Sequence, residues 1–169
     1  MTDEGDCIAL DAGTTIYEVA KILEGFKKLM VVTYDLNIAS YLDNHTDVSL
    51  FVAGGEVRKG HHYMIGNTAI EAIAKLNVDT FFIGANGINM KKGITTPQLD
   101  TALMKERIIE NSRQCILLAD SSKLDNISFA KFADLSELDV FITDEYADPE
   151  ILERIRSEGI KVDIAKIAK

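Results

Sequence analysis

Cysteine, proline and tryptophan are scarce in this chain of 169 residues. It has no tryptophan, two prolines and two cysteines. Each cysteine opens an apolar run, Cys7 in CIAL and Cys115 in CILL, where a thiol usually behaves as a small buried hydrophobic group. We therefore expect neither a disulfide nor a metal site built on cysteine.

Long apolar segments are also absent. No run approaches the roughly 18 apolar residues that indicate a membrane-spanning helix. The N-terminal segment MTDEGD is acidic and lacks both the basic start and the apolar stretch of a signal peptide. These absences predict a cytoplasmic protein without a membrane partner.

Basic residues are outnumbered by acidic ones. The chain has 18 Lys and Arg against 27 Asp and Glu, a net charge of −9. Nonspecific nucleic-acid affinity depends on clustered Lys and Arg, so this chain is not expected to bind DNA by itself. A site for a small anion would need a local positive field, supplied by backbone N–H groups and a few placed cations.

The common cofactor and catalytic signatures are missing. The chain contains no G-x-G-x-x-G, no P-loop lysine motif, no G-x-S-x-G and no zinc-type spacing of Cys and His. His61 and His62 are adjacent, and the third histidine, His45, lies far from them in sequence. We expect no metal and no cofactor.

Apolar runs of strand length alternate with helical patterns. The runs are residues 7–13, 29–35, 48–55, 79–87, 115–122 and 138–145. Helical spacing and helix signals are carried by Ile16, Val19, Ala20 and Leu23, by Ile70, Ile73 and Ala74, and by Asp148-Pro149 with Gly159 as a stop. This alternation predicts one α/β domain over residues 1–169, with three α/β/α layers around a mostly parallel sheet.

Nearly every apolar run ends in small or polar residues. Parallel sheets bind ligands outside the carboxyl ends of their strands, so these ends are expected to form one crevice. Long segments that are predicted to be irregular, 56–66, 88–100 and 123–137, follow three of the runs. The alternative is that the loops are polar only because they face solvent. The predicted ends are Asp11-Ala12-Gly13, Thr33-Tyr34-Asp35, Gly54-Gly55, Gly84-Ala85-Asn86-Gly87, Asp120-Ser121-Ser122-Lys123 and Thr143-Asp144.

The first of these ends, LDAGTT, has two interpretations. A strand-to-helix joint can hold an anion, because the first N–H groups of a helix lack internal acceptors and the helix dipole is positive there. Alternatively, Thr15 and Glu18 fit a capping box, in which each side chain satisfies a backbone N–H of the other residue. The capping box does not account for Gly13 or Thr14.

Seven motifs taken together resemble the effector-sensing domain of DeoR-family transcriptional repressors. In order they are LDAGTT, VVTYD, VAGGEVR, FFIGANGI, GITT, LLADSSK and FITDE. The resemblance implies a sugar-phosphate sensor with a fold similar to ribose-5-phosphate isomerase, in the NagB, ribose-5-phosphate isomerase and CoA-transferase-like class. It also implies an N-terminal winged helix-turn-helix that binds operator DNA and is absent from this chain, so we expect the chain to be part of a longer protein. Such regulators are homo-oligomeric, which predicts a homodimer or tetramer.

The comparison with the isomerases separates two function classes. In the similar isomerases the strand that corresponds to FFIGANGI carries a pair of carboxylates that moves a proton between sugar carbons. Here those positions are Ile83 and Asn86, which cannot take that proton, so the resemblance implies binding without a catalytic residue. The alternatives are an aldose-ketose isomerase-like enzyme, and an oligomerisation domain with a vestigial pocket.

The resemblance also implies binding roles. Gly13, Thr14 and Thr15 would cradle the phosphate and Lys123 would supply a cation; aspartates would accept hydrogen bonds from sugar hydroxyls, and Asn86 would donate and accept them. Arg58 could bind phosphate as a bidentate fork or remain a solvated surface residue, and Asp35 could serve a turn instead. The predicted ligand-binding residues are Asp11, Gly13, Thr14, Thr15, Thr33, Asp35, Gly54, Gly55, Arg58, Gly84, Asn86, Gly87, Asp120 and Lys123.

Overall fold

A computed structural model describes residues 3–166, so the first two residues of MTDEGD lie outside the described range. Five α-helices and twelve strands make up this part of the chain. The helices are α1 (Thr14–Lys21), α2 (Leu36–His45), α3 (Asn67–Ile73), α4 (Leu99–Glu110) and α5 (Pro149–Ser157). The strands are β1 (Cys7–Leu10), β2 (Met30–Thr33), β3 (Ser49–Val52), β4 (Glu56–Arg58), β5 (Tyr63–Ile65), β6 (Val78–Gly84), β7 (Gly87–Asn89), β8 (Gly93–Thr96), β9 (Ser112–Leu118), β10 (Ala130–Ala133), β11 (Val140–Asp144) and β12 (Lys161–Ala165).

The central sheet has seven parallel strands in the order β12-β11-β9-β6-β1-β2-β3. Successive side chains of a strand point to opposite faces, and both faces of this sheet are buried. On β1, Ile8 and Leu10 pack into a core with α1 and α2, whereas Ala9 packs into a second core with α3, α4 and α5. The predicted three-layer α/β/α architecture with a mostly parallel sheet is confirmed.

Each of the six predicted strand runs overlaps a strand of the central sheet, although β6 and β9 begin one and three residues before their runs. The seventh strand, β12, was not predicted, because an edge strand with Lys161 and Asp163 lacks a continuous apolar run. The predicted helices correspond to α1, α3 and α5. Asp148 caps α5 by accepting a hydrogen bond from the Glu150 N–H, and Gly159 follows the helix with a φ of +89°. The helices α2 and α4 were not predicted.

The three segments predicted to be irregular contain most of the remaining strands, so that prediction was wrong. β4 and β5 form an antiparallel hairpin within 56–66. β7 and β8 pair antiparallel with each other, and β10 joins β8 to complete a three-stranded sheet. These strands have three or four residues each, too few to show a reliable period in the sequence.

The capping-box interpretation of Thr15 and Glu18 is also wrong. α1 begins at Thr14 with Gly13 as its N-cap, and no side chain caps it. Gly13 has a φ of +120°, a conformation that side chains disfavour, and this lets the chain enter the helix before Thr15 is reached. Thr15 therefore lies inside the first turn, and its hydroxyl is not engaged as a cap.

Candidate functional site

The carboxyl ends of β1, β6 and β9 lie side by side and form the floor of a crevice. A cavity of about 250 Å³, the helix lobe, opens at the start of α1 and includes Gly13, Thr14, Thr15, Asn86, Lys105, Asp120 and Lys123. A cavity of about 260 Å³, the Tyr63 lobe, includes Tyr63, Asn86, Thr96, Gln98, Thr101 and Lys105. Ala12, Gly13, Asn86 and Lys105 line both lobes, so the two cavities adjoin.

Backbone donors at the start of α1 face the helix lobe. The first intrahelical bond runs from the Tyr17 N–H to the Gly13 carbonyl at 2.9 Å. The N–H groups of Thr14, Thr15 and Ile16 precede that bond and so have no intrahelical acceptor. The helix dipole adds partial positive charge at the same end. The start of α1 therefore contributes unpaired donors and partial positive charge to this lobe, within a protein of net charge −9.

Lys123 and Asp120 border the helix lobe from the opposite side. They lie in the short 3₁₀ turn Ser121–Lys123 that follows β9, with the Lys123 Nζ 3.8 Å from Asp120 Oδ2. Hydrogen bonds from Ser122 and the nearby ammonium group of Lys123 hold the pKa of Asp120 below its ordinary value. Asp120 is therefore a weak base, and Lys123 is a half-exposed cation that a ligand can reach.

Lys105 is a second cation at this crevice, and sequence analysis missed it. Its Nζ lies 2.7 Å from Asp11 Oδ2 and 2.6 Å from the Gly84 carbonyl oxygen, and the residue is only 4% exposed. The side chain also passes 4.9 Å from the centre of the Phe132 ring. No sequence signal identified it, because α4 was not predicted and its partners Asp11 and Gly84 lie 94 and 21 residues away along the chain. A lysine as buried as this one requires such partners.

Asp11 is fully enclosed by protein atoms. Oδ2 accepts hydrogen bonds from Lys105 Nζ and from the Gly84 N–H at 2.8 Å, and Oδ1 accepts one from the Tyr34 hydroxyl. Burial and the Asp11 carboxylate raise the pKa of Tyr34 well above its ordinary value, so Tyr34 remains a donor. Asp11 thus contacts the crevice mainly through Lys105.

The family model described as the DeoR C-terminal sensor domain matches residues 1–145. The chain belongs to this family. It is 38% identical over 94% of its length to "HTH-type transcriptional regulator GlpR" of Haloferax volcanii, and 32% identical over 96% of its length to "HTH-type transcriptional repressor GlcR" of Bacillus subtilis. It spans 62% of the length of each relative.

The sensor domain also has the fold of a known enzyme. Ribose 5-phosphate isomerase from Plasmodium falciparum superposes with a TM-score of 0.51 over 73% of this chain and 46% of the isomerase, at 14% sequence identity. At that identity the likeness establishes the fold alone, as predicted, and says nothing about activity.

Asn86 and Ile83, the positions compared with the isomerase carboxylates, have different surroundings in the sensor domain. Ile83 is fully buried in the larger core. Asn86 is exposed at the end of β6, where its Oδ1 accepts a hydrogen bond from the Thr96 hydroxyl at 3.3 Å. Its amide group lines both lobes, so it can contact a ligand in either one.

Asp35 and Thr33 support the helix α2. Asp35 caps it, with Oδ1 accepting from the N–H groups of Asn37 and Ile38 and Oδ2 accepting from the Gly13 N–H at 3.2 Å. Burial raises the pKa of Asp35. The Thr33 hydroxyl accepts from the Asp35 N–H, and Thr33 is itself buried. Asp35 therefore fixes the position of Gly13, and with it the start of α1, through this hydrogen bond.

Six of the predicted ligand-binding residues do not line the helix lobe or the Tyr63 lobe as the structure describes them: Thr33, Asp35, Gly54, Gly55, Arg58 and Gly87. Arg58 donates to Asp100 Oδ2 at 3.0 Å and borders an open apolar groove beside Leu99, Leu103 and Phe129. The backbone comes close at two of the glycines: an added Cβ would lie 2.2 Å from the Ile65 carbonyl oxygen at Gly55, and 2.5 Å from the Asn126 carbonyl oxygen at Gly87.

The described residues of the sensor domain hold no group of three or more His, Cys, Asp or Glu placed to bind a metal ion. Cys7 and Cys115 are free thiols, and burial raises the pKa of Cys115 to about 12. Within residues 3–166, no helix combines the length and the hydrophobicity needed to cross a membrane.

Proposed function

We propose that this sensor domain binds a phosphorylated sugar without transforming it, as the ligand-sensing part of a transcriptional regulator. One observation carries the proposal: open N–H groups at the start of α1, Lys105 and Lys123 converge on one cavity of about 250 Å³. The helix N-terminus and Lys123 supply positive charge for an anion, and Lys105, although it is paired with Asp11, adds a hydrogen-bond donor.

The phosphate of the ligand occupies the helix lobe. Thr14 and Thr15 donate to it through backbone N–H groups and hydroxyls, and Lys123 binds it from the other side. Asp120 also borders this lobe, and its carboxylate repels a phosphate at close range. Asp120 therefore accepts a hydrogen bond from a sugar hydroxyl rather than contacting the phosphate.

The sugar extends from the phosphate into the Tyr63 lobe. That lobe carries polar side chains suited to hydroxyl groups, namely Asn86, Thr96, Gln98 and Thr101. Lys105 lies between the two lobes and has one ammonium proton left after bonding Asp11 and Gly84. The fold likeness to an enzyme named for ribose 5-phosphate agrees with this class of ligand.

Catalysis is not part of the proposal. An isomerase of this kind needs a base within hydrogen-bond reach of a sugar C–H. Ile83 has no base, Asn86 is an amide, and the lowered pKa of Asp120 makes it a poor proton acceptor. An isomerase-like enzyme is the second candidate, and only the shared fold favours it. Turnover of ribose 5-phosphate or fructose 6-phosphate that disappears in Asp120→Asn would establish that alternative.

Regulation follows from a difference in ligand affinity between two conformations or assemblies of the regulator. In the whole protein, DNA is bound by a helix-turn-helix module of the kind named in the relatives, and this domain biases it. Operator sites are two-fold symmetric, so the regulator is a homodimer or tetramer.

A thermal-shift assay with sugar phosphates tests the proposal. Ribose 5-phosphate, glucose 6-phosphate, fructose 1-phosphate and fructose 6-phosphate are each compared with the unphosphorylated sugar. A ligand at 100 times its Kd stabilises the fold by about 2.7 kcal/mol, which raises the Tm by roughly 5–10 °C in a domain of this size. Lys123→Ala removes most of that shift, whereas Lys91→Ala, an exposed lysine outside the lobes, keeps it.

Two results would contradict the phosphate site. One is a panel in which no phosphorylated sugar raises the Tm above its unphosphorylated parent. The other is a Lys123→Ala protein that responds like the Lys91→Ala control.

A further inference from the structure

A third and larger cavity continues from the crevice. This cavity, the α2 lobe, has a volume of about 560 Å³ and lies between α1, α2 and the loop that carries His61 and His62. It shares Gly13 and Thr14 with the helix lobe, and Gly13 and His61 with the Tyr63 lobe. Gly13 therefore lines all three cavities.

The size of the α2 lobe separates it from the other two. Ligand pockets usually measure about 300–1,000 Å³, a range that includes the α2 lobe and excludes each of the smaller lobes taken alone. The smaller pair together suits a compact monosaccharide phosphate. The α2 lobe leaves room for a further group on the same ligand, because it adjoins the Tyr63 lobe at Gly13 and His61 as well as the helix lobe.

One face of α2 presents hydrogen-bonding groups to this cavity. Asn37, Ser40, Tyr41 and Asn44 recur at helical spacing and all line it. The side chains of Asn37 and Ser40 hydrogen-bond to no other residue within 3–166. A helix face turned to a cavity with unused amide and hydroxyl groups can bind several ligand hydroxyls at once.

Aromatic rings supply an apolar wall next to these polar groups. Tyr17 and Tyr41 contact edge to face with centroids 5.4 Å apart, and His45 stacks on Tyr41 at 4.4 Å. The hydroxyl of Tyr41 donates to Glu24, which holds its ring in place and raises its pKa to about 12. Aromatic carbon beside amides and hydroxyls matches a ring that has both C–H and O–H surface.

Charge selects against a second anionic group. Glu18 and Asp35 line the α2 lobe, and the histidines are its only basic side chains among the described lining residues. A second phosphate or a carboxylate would meet these two carboxylates at close range, and Lys21, which pairs with Glu18 at 2.7 Å, does not line the cavity. The group that fits here is uncharged.

We propose that the α2 lobe binds a second, uncharged polyhydroxylated ring, so that the ligand of this domain is a phosphorylated disaccharide. This inference rests on the proposed function, because the phosphate is placed in the helix lobe. The second ring stacks against Tyr17 and Tyr41 and hydrogen-bonds to Asn37, Ser40 and Asn44.

Calorimetric titration of the whole chain compares each disaccharide phosphate with its own phosphorylated half. The pairs are trehalose 6-phosphate, maltose 6′-phosphate and cellobiose 6′-phosphate with glucose 6-phosphate, and lactose 6′-phosphate with galactose 6-phosphate. At least one disaccharide phosphate binds tenfold or more tightly than its half. Loss of one hydrogen bond in Asn37→Ala weakens that binding by about twofold to tenfold.

A pair of matched variants locates the second ring. Ser40→Trp fills the α2 lobe from an exposed helix position, and Asp43→Trp places the same side chain on an exposed position of α2 outside that lobe. Ser40→Trp abolishes the advantage of the disaccharide phosphate and leaves the affinity for the monosaccharide phosphate within twofold. Asp43→Trp changes neither.

The outcomes separate this inference from the proposed function. If monosaccharide phosphates bind in a manner that depends on Lys123, but no disaccharide phosphate binds more tightly than its half, the α2 lobe is not a sugar site and the proposed function stands. Equal weakening of both ligands by Ser40→Trp would overturn the inference in the same way. If no phosphorylated sugar of either size binds, both are wrong.

Discussion

Lys105 and Asp11 form a buried ion pair, with 2.7 Å between Nζ and Oδ2, although 94 residues separate them in the chain. The pair joins the helix α4 to the end of the central strand β1, directly beneath the crevice. Both partners make further hydrogen bonds, Lys105 to the Gly84 carbonyl and Asp11 to the Gly84 N–H and the Tyr34 hydroxyl. The floor of the crevice is therefore held by one connected polar network.

Breaking this pair from one side is expected to destabilise the fold severely. Lys105→Met leaves the Asp11 carboxylate buried without its cation, a change that costs about 3–5 kcal/mol. The Tm then falls by roughly 6–20 °C. Lys21→Met, which breaks an exposed pair with Glu18, serves as the control and changes the Tm by no more than about 2 °C.

A double variant shows whether the cost comes from the uncompensated charge. Asp11→Asn keeps an oxygen that can accept from Tyr34 or Gly84, so the combination with Lys105→Met recovers part of the lost stability. Chemical denaturation of the four proteins gives the coupling energy. A double variant less stable than Lys105→Met alone would contradict this account.

The two adjacent glycines after β3 are expected to respond differently to alanine. A Cβ at Gly55 would lie 2.2 Å from the Ile65 carbonyl oxygen, so backbone must move, whereas a Cβ at Gly54 meets nothing within 4 Å. Gly55→Ala therefore loses about 1–3 kcal/mol of unfolding free energy, and Gly54→Ala stays close to the parent. Urea denaturation measures both, and similar losses in the two variants would show that the close approach is not the cause.

Asp35 is expected to act as a helix cap. Asp35→Ala removes the acceptor for the Asn37 and Ile38 N–H groups and costs about 0.5–2 kcal/mol, whereas Asp35→Asn keeps an acceptor and costs less. The pKa of Asp35 is raised in the folded state, chiefly by burial. The folded protein therefore retains this proton longer than the unfolded chain as pH rises above 3.8.

Because the folded protein retains the Asp35 proton, the stability that Asp35 contributes decreases as pH rises. The stability that Asp35 contributes is largest below pH 3.8, declines as pH rises from 3.8 through the raised folded pKa, and is constant above it. The unfolding free energy of the parent minus that of Asp35→Asn should decline over the same window. A difference that grows with pH there would mean that hydrogen bonding to the carboxylate outweighs its burial.

The apolar groove beside α4 is expected to be a self-association surface. Phe129 is 83% exposed and lies with Leu99 and Leu103 along one open groove. Clustered exposed apolar residues of this kind are typical of protein interfaces. Phe129→Ser should shift the protein toward monomer in light scattering at high micromolar concentration. Ile22→Ser, at a residue 73% exposed outside the groove, should not, and an unchanged oligomer in Phe129→Ser would exclude this surface.

The sequence by itself determined the fold class and the strand ends that border the crevice. Runs buried on both faces, helical spacing and polar strand ends are local properties, so they predicted the parallel sheet and the loops that surround its carboxyl edge. The proposed anion position at Gly13, Thr14 and Thr15 also rests on a local signal, because a glycine before a helix start is a short-range feature.

Only the tertiary structure decided which strand ends share a cavity. Strand order places the ends of β1, β6 and β9 together, so Gly13, Asn86 and Lys123 meet in one lobe. β3 lies at the sheet edge, which carries Gly54 and Gly55 away from that lobe. Lys105 enters the site because α4 packs beside the end of β6, a contact between distant segments that no local pattern encodes. The chemistry of each loop is a property of the sequence, but the combination of side chains around a ligand is set by long-range packing.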